Sequence, residues 1–114
     1  KDLQAYETKV VLPLIAKGMS QKIGKQNAIS GNKICDSINK SDLLHNYKLN
    51  PVRLRKIMGA LRLTGKVMYL CSGKNGYYIA GTTIELDDCI ESLEQRVAQQ
   101  QRVIDAMIWQ RKQL

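Results

Sequence analysis

The chain has 114 residues, of which 44% are apolar and 25% are charged, with eight glycines and two prolines. This length supports one modest hydrophobic core and excludes a second full domain, and the composition is typical of a folded globular chain. The formal net charge of +8 favours polyanionic partners such as nucleic acid but says nothing about the fold.

The positive charge is concentrated in the first 81 residues, which carry 14 basic and four acidic side chains, whereas the rest of the chain carries four basic and six acidic ones. Between Leu43 and Ile84 there are seven cations and no acidic residue. An ordinary solvated surface mixes both signs of charge, so this segment indicates a surface that binds phosphates. The alternative interpretation is a solvated helix face.

Apolar residues at helical spacing predict a first helix over residues 3–17, which Pro13 is expected to kink or restart. Small and polar residues with glycines predict an exposed loop after it. The loop ends at Ser30, a good N-cap for a short second helix that begins at Gly31. The segment KSDLLHNYKL predicts one or two further helical turns, with Ser41 or Asp42 as cap and apolar contacts from Leu43, Leu44, Tyr47 and Leu49.

The pair Asn50-Pro51 is the strongest helix start signal in the chain, because the asparagine can cap and the proline needs no hydrogen bond at the first helical position. In the helix that follows, Gly65 is expected to be the left-handed C-terminal residue. The buried stripe is expected to be Leu54, Ile57, Met58 and Leu61. The opposite face carries Val52, Lys56, Gly59 and Leu63, with Arg53 on one side and Arg55 and Arg62 on the other.

A β-hairpin is predicted directly after this helix. Residues 66–71 and 77–80 are rich in β-branched and aromatic types, and the turn SGKNG between them has Lys74 and Asn75 at its tip. Since side chains alternate along a strand, one of Tyr77 and Tyr78 is expected to pack in the core and the other to lie outward.

The last segment predicts one long helix. It opens with Thr82 and Glu85 at capping-box spacing, and Asp87 and Asp88 suit the helix dipole. Its apolar heptad, interrupted by Gln100 and Arg111, predicts dimerisation residues Leu86, Ile90, Leu93, Val97, Ile104 and Met107. A helix of ~30 residues is ~45 Å long, more than a small domain covers, so a homodimer is expected. The alternative is that this helix binds a different protein.

The residues offer no chemistry for catalysis or for metal binding. Cys35, Cys71 and Cys89 have neither a disulfide-framework nor a metal-ligand spacing and are interpreted as reduced, mostly buried thiols in a cytosolic protein. His45 is the only histidine, so no nucleophile and base can be assembled. We therefore expect no enzyme, no metal and no cofactor. The longest apolar run, residues 10–16, is too short for a membrane span, and no leader opens the chain.

The order of two helices, a cationic third helix and a hairpin with a basic turn is that of a winged helix-turn-helix domain. The segments NAISGNKIC, VRLRKIMGALRLTGKVMYLCSGKNGYYIAG and TTIELDDCIESLEQRV resemble small winged helix-turn-helix proteins of bacteriophages and prophages that have a C-terminal helix. The wing string SGKNGYYIAG is the most distinctive, and the stretch around Ser41 to Leu49 is an addition to the family pattern. The resemblance implies DNA binding and a phage or mobile-element origin.

The sequence thus predicts an α+β, mainly helical fold, with a winged helix-turn-helix domain over residues 1–81 and a C-terminal dimerisation helix over residues 82–114. The expected function is a homodimeric transcriptional or replication regulator that binds double-stranded DNA in the cytoplasm of a bacterial host. The alternative is a phage adaptor or inhibitor that binds a host replication or defence protein through the basic surface. The predicted nucleic-acid-binding residues are Asn50, Val52, Arg53, Arg55, Lys56, Arg62, Lys66, Ser72, Lys74 and Asn75.

Overall fold

The computed structural model describes residues 3–41 and 47–114. Within them the fold is α+β and mostly helical, as predicted, with one two-stranded antiparallel sheet. The elements in chain order are a π-helical turn (Glu7–Val11), α1 (Leu12–Met19), a 3-10 turn (Lys25–Asn27), α2 (Gly31–Asn39), α3 (Pro51–Thr64), β1 (Leu70–Gly73), β2 (Gly76–Ile79) and α4 (Thr83–Lys112).

The first helix is interrupted near Pro13, as predicted. Pro13 lies in the first turn of α1, and the turn immediately before it is π-helical. Because proline has no backbone N–H, the regular hydrogen bond to the preceding turn is lost, and a local π turn is one way in which a helix accommodates such a break. α1 then continues to Met19, two residues beyond the predicted end.

Three helices begin at the predicted caps, Ser30, Asn50 and Thr82. In each case the side-chain oxygen of the cap accepts a hydrogen bond from the backbone N–H three residues later, at 2.9–3.2 Å. Gly65 ends α3 with φ of 71°, the predicted left-handed conformation. Short-range hydrogen bonds of this kind are encoded by a few adjacent residues, so sequence reasoning located these ends correctly.

Glu85 does not complete the capping box by bonding to Thr82. Its Oε1 instead accepts from the backbone N–H of Gly81 at 2.8 Å, and its Oε2 accepts from that of Lys25 at 2.9 Å. These backbone hydrogen bonds lower the pKa of the Glu85 carboxyl. The side chain therefore joins the start of α4 to the 3-10 turn.

The main core lies between α1, α2 and α3 and extends to Leu70 of β1. The predicted stripe of α3 is confirmed, since its four apolar residues are each at most 1% exposed. Tyr77 packs half-buried against this core. The expectation that one tyrosine of the hairpin lies outward is therefore wrong, because Tyr78 is also buried.

A second, smaller cluster lies on the other face of the hairpin. It contains Cys71, Tyr78, Ala80 and Cys89, with Leu86 packed against it. All three cysteines of the chain are buried and none forms a disulfide, as predicted. Burial raises the pKa of the Cys71 thiol. Through this cluster the first two turns of α4 are fixed to the hairpin.

The strands differ from the predicted ones. Residues 66–69 form a turn and not the start of a strand, and β1 begins at Leu70. Tyr69 has a left-handed φ of 64°, which breaks the extended run that its residue types favoured. β2 begins and ends one residue earlier than predicted. Gly73 pairs with Gly76, which leaves Lys74 and Asn75 as the predicted two-residue tip.

Residues 42–46 of the segment KSDLLHNYKL, where helical turns were predicted, lie outside the described residues. They include Asp42, Leu43, Leu44 and His45. Beyond that gap, Tyr47 and Leu49 both pack on the main core. The Asn39 side chain donates to the Leu49 carbonyl at 2.9 Å and accepts from the Leu49 N–H at 2.6 Å. This pair of hydrogen bonds fixes the chain just before α3.

The whole molecule has principal extents of 56 × 35 × 23 Å, and α4 extends away from the rest of it. Every residue from Ile90 to Leu114 is exposed. No helix within residues 3–41 and 47–114 has the length and apolar character needed to cross a membrane.

Candidate nucleic-acid interface

α3 presents cations to solvent because its apolar residues all lie on the other side. Since Leu54, Ile57 and the rest of the stripe are buried, the opposite face is left outside the core. Val52 is 54% exposed on that face, and Arg55 and Lys56 beside it are exposed as well. These three predicted residues are in a position to contact a ligand.

Arg53 does not lie with them. Its Nε donates to Glu7 Oε2 at 3.1 Å, and its Nη2 forms an ion pair with Glu7 Oε1. The Tyr47 hydroxyl donates to Glu7 Oε2 at 2.7 Å. Only 1% of the Glu7 side chain and 22% of the Arg53 side chain are exposed. The expectation that Arg53 faces a ligand is wrong, because its guanidinium group pairs with a buried carboxylate.

The electrostatics of this pair follow from the contacts. The hydrogen bond from Arg53 is the largest influence on Glu7 and, with those from Gln4 and Tyr47, lowers the pKa of that carboxyl from 4.5 to about 2 against the opposing effect of burial. Burial and the hydrogen bond to Glu7 both raise the pKa of Tyr47. Glu7 is therefore a carboxylate at neutral pH, and it ties the π-helical turn to the start of α3.

Arg62 joins α3 to the hairpin. Its Nε donates to the Leu70 carbonyl at 2.9 Å, and its Nη2 donates to Ser72 Oγ at 3.2 Å. Both Arg62 and Ser72 are half-buried. These two predicted binding residues thus contact each other, and their evident role is to hold β1 against the C-terminal half of α3.

Arg55 lies on the hairpin side of α3. The positive charges of Arg62 and Arg55 both act on the Tyr77 hydroxyl of β2, where they oppose the rise in pKa that burial causes. Arg55 and Arg62 are two helical turns apart, so they share one face of α3. Arg55 therefore lies on the same side of α3 as the hairpin that Arg62 contacts.

The hairpin tip is basic and exposed at Lys74 and Asn75. Its shape depends on Gly76, which has φ of 117° and lies against the Ile29 backbone, where an added Cβ would be 2.1 Å from the carbonyl oxygen. Tyr77 also exchanges two backbone hydrogen bonds with Ile29, at 2.8 and 2.9 Å. The residues before α2 thereby support the hairpin.

Lys66 and Asn50, the two remaining predicted residues, do not belong to this exposed set. Lys66 is exposed but lines a depression with Ser20 and Ile23, near the end of α1. The Asn50 side chain is used as the helix cap. The predicted residues that remain exposed around α3 and the hairpin tip are Val52, Arg55, Lys56, Lys74 and Asn75, which we call the basic surface.

Sequence reasoning did not identify Glu7 or Tyr47 as the residues that position α3. Glu7 is 46 residues away from Arg53 along the chain, so no local pattern connects them. The available signal was weak: Glu7 lies four residues after Leu3 and three before Val10, a helical spacing that places an acidic side chain on the apolar face.

α4 carries the predicted dimerisation residues. Ile90, Leu93, Val97, Ile104 and Met107 are between 39% and 66% exposed. Leu86 differs from them, because it packs against the second cluster within its own chain. The described part of α4 thus has an apolar stripe that its own domain does not cover beyond Cys89.

Within the part of the chain that the structure describes, no three His, Cys, Asp or Glu side chains are grouped so that they could hold a metal ion. Comparisons with protein-family models, with curated proteins and with solved structures yielded no match to this chain.

Proposed function

We propose that the chain is a winged helix-turn-helix protein that binds double-stranded DNA through the basic surface. The observation that carries the proposal is that α3 buries one apolar face and exposes Arg55 and Lys56, while the hairpin that Arg62 holds to α3 exposes Lys74 at its tip. An α-helix fits the major groove of B-DNA, and a hairpin beside it is placed to contact the flanking backbone.

The charge of the surface supports this proposal. Among the described residues up to Gly81, the acidic side chains are Glu7 and Asp36. Glu7 is buried and paired with Arg53, so it adds no negative charge to the surface. Counterion release from phosphates supplies a large share of protein–DNA affinity, and a surface with many cations and few carboxylates favours it.

The roles follow from position. Arg55 and Lys56 project from the helix that would enter the groove, so they donate to base edges or to phosphates there. Lys74, at the end of a hairpin held by Arg62, contacts a phosphate outside the helix footprint. Arg53, Arg62 and Ser72 position α3 and the hairpin and do not contact DNA.

The remaining parts of the proposal concern assembly and origin. The exposed apolar stripe of α4 is covered by a second copy of the chain, which gives a homodimer. The resemblance to small phage and prophage proteins suggests a transcriptional or replication regulator that acts in the bacterial cytoplasm.

The proposal is tested by selecting duplexes from a random pool and then measuring their affinity by fluorescence anisotropy. Lys56→Ala is expected to weaken binding of the selected duplex by about 1–3 kcal/mol, because it removes one donor from the groove. Lys17→Ala removes the same charge from an exposed position of α1 and is expected to leave affinity close to that of the parent.

Micromolar or weaker affinity for every duplex at low salt would contradict DNA binding. In that case a pull-down from nuclease-treated host lysate distinguishes the protein-binding alternative, since a protein partner survives the nuclease and a DNA bridge does not.

A further inference from the structure

The charges of α4 are unevenly distributed along its length. Residues 85–94 carry five acidic side chains and no basic one, whereas residues 95–112 carry four basic side chains and one acidic one. Like charges in register repel, and complementary charges across an interface determine its orientation. Two copies of α4 therefore pair best when the acidic segment of each lies along the basic segment of the other, which is an antiparallel arrangement.

The apolar stripe fits the same arrangement. In a pair with two-fold symmetry, if residue i contacts residue j of the other copy, then j contacts i. Setting Ile90 opposite Met107 of the second copy brings the stripe of each helix onto the other. The facing pairs, each occurring twice, are Ile90 with Met107, Leu93 with Ile104, and Val97 with Gln100.

Arg111 disfavours two other arrangements. A parallel pair places every residue opposite its own copy, so the two Arg111 guanidinium groups would meet in the seam. An antiparallel pair shifted by one heptad would place Arg111 opposite Leu93, in the apolar part of the stripe. With Ile90 opposite Met107, Arg111 reaches the level of Leu86 and Asp87 of the second copy, where a carboxylate is present.

We infer that α4 binds α4 of a second copy of this chain in an antiparallel pair, with Ile90 opposite Met107. The inference deepens the proposed function, which includes a homodimer, by fixing the orientation and register. It also fixes a spacing. Leu86 of one copy lies level with Arg111 of the other, so the two Leu86 residues are about 37 Å apart along the pair at 1.5 Å per residue.

Disulfide cross-linking without DNA tests the orientation. Ile90→Cys and Met107→Cys are each made alone, and the parent, whose three cysteines are buried, is the control. Both positions are exposed, at 46% and 63%, so neither change removes a contact within the chain's own core. After oxidation, an equimolar mixture is expected to give a dimer that contains one chain of each variant, because the two thiols face each other.

Each variant oxidised alone is expected to remain uncross-linked, because its own two thiols lie about 25 Å apart in the antiparallel pair. A parallel pair would instead cross-link Ile90→Cys to itself and give no mixed dimer, which would overturn the inference. Cross-linking of Ile90→Cys to Leu114→Cys but not to Met107→Cys would overturn the register.

A chain that light scattering shows to be monomeric at tens of micromolar would overturn the inference as well. None of these outcomes depends on DNA. The affinity of the chain for duplex is measured separately, so failure of the helix pair and failure of DNA binding are distinguishable.

Discussion

Arg53 forms an ion pair with Glu7, a residue 46 positions earlier in the chain, and the Tyr47 hydroxyl donates to the same carboxylate. A buried carboxylate is tolerated only when it is paired and hydrogen-bonded, so the three residues form one unit. This unit fixes the N-terminal end of α3, while Arg62 holds the C-terminal half of α3 to the hairpin. Both ends of the proposed recognition helix are thus held by arginines.

Replacing Arg53 and Arg55 one at a time distinguishes a residue that positions α3 from one that is proposed to bind DNA. Arg53→Ala is expected to lower the melting temperature by several degrees, because Glu7 remains buried without its ion-pair partner. Arg55→Ala removes the same charge from an exposed position and is expected to leave the melting temperature near that of the parent while weakening duplex binding. Thermal unfolding followed by circular dichroism, with anisotropy on the same samples, measures both. Equal melting temperatures for the two variants would contradict the role assigned to Arg53.

The pH dependence of stability is expected to report on Glu7. The pKa of Glu7 is about 2 in the folded chain against an ordinary value of 4.5, so the unfolded state binds the proton more readily. The stabilisation is therefore complete above about pH 4.5 and is lost as the pH falls toward 2. Denaturant unfolding at a series of pH values measures it. Glu7→Gln should flatten this dependence, whereas Glu91→Gln, at an exposed position of α4, should retain it.

Gly76 is expected to tolerate no side chain. In Gly76→Ala, the alanine would have to adopt a φ of 117°, and its Cβ would lie 2.1 Å from the Ile29 carbonyl oxygen. We therefore expect the free energy of unfolding to fall by about 1–3 kcal/mol or more. Gly18→Ala is the matched control. Gly18 lies in α1 with nothing within 4 Å of an added Cβ, and alanine there is expected to stabilise the helix by about 0.5–1 kcal/mol. Similar unfolding free energies for the two variants would contradict the tight contact at Ile29.

The features that sequence reasoning located correctly are encoded locally. The caps at Ser30, Asn50 and Thr82 and the buried stripe of α3 each depend on residues within a turn or two of one another. One error has a long-range cause, because Arg53 pairs with a carboxylate 46 residues earlier in the chain. The other is at Tyr69, whose left-handed φ means that β1 begins only at Leu70 despite favourable residue types before it.

In the candidate site, too, the locally encoded features were predicted and the contacts between elements were not. Helical periodicity was sufficient to place Val52, Arg55 and Lys56 outside the core. It could not reveal that Arg62 donates to the Leu70 carbonyl, because that contact depends on how the chain turns after Gly65. Nor could it show that Leu86 packs on the hairpin, since the partners of Leu86 come from two strands.

The salt dependence of duplex binding tests the central claim, that α3 and the hairpin contact DNA together. The logarithm of the affinity for a selected duplex is plotted against the logarithm of the salt concentration for the parent, Lys74→Ala and Lys17→Ala. If Lys74 neutralises a phosphate, Lys74→Ala lowers the magnitude of the slope by about one, and Lys17→Ala reproduces the parent slope. A Lys74→Ala slope equal to that of the parent would contradict a role for the hairpin in DNA contact.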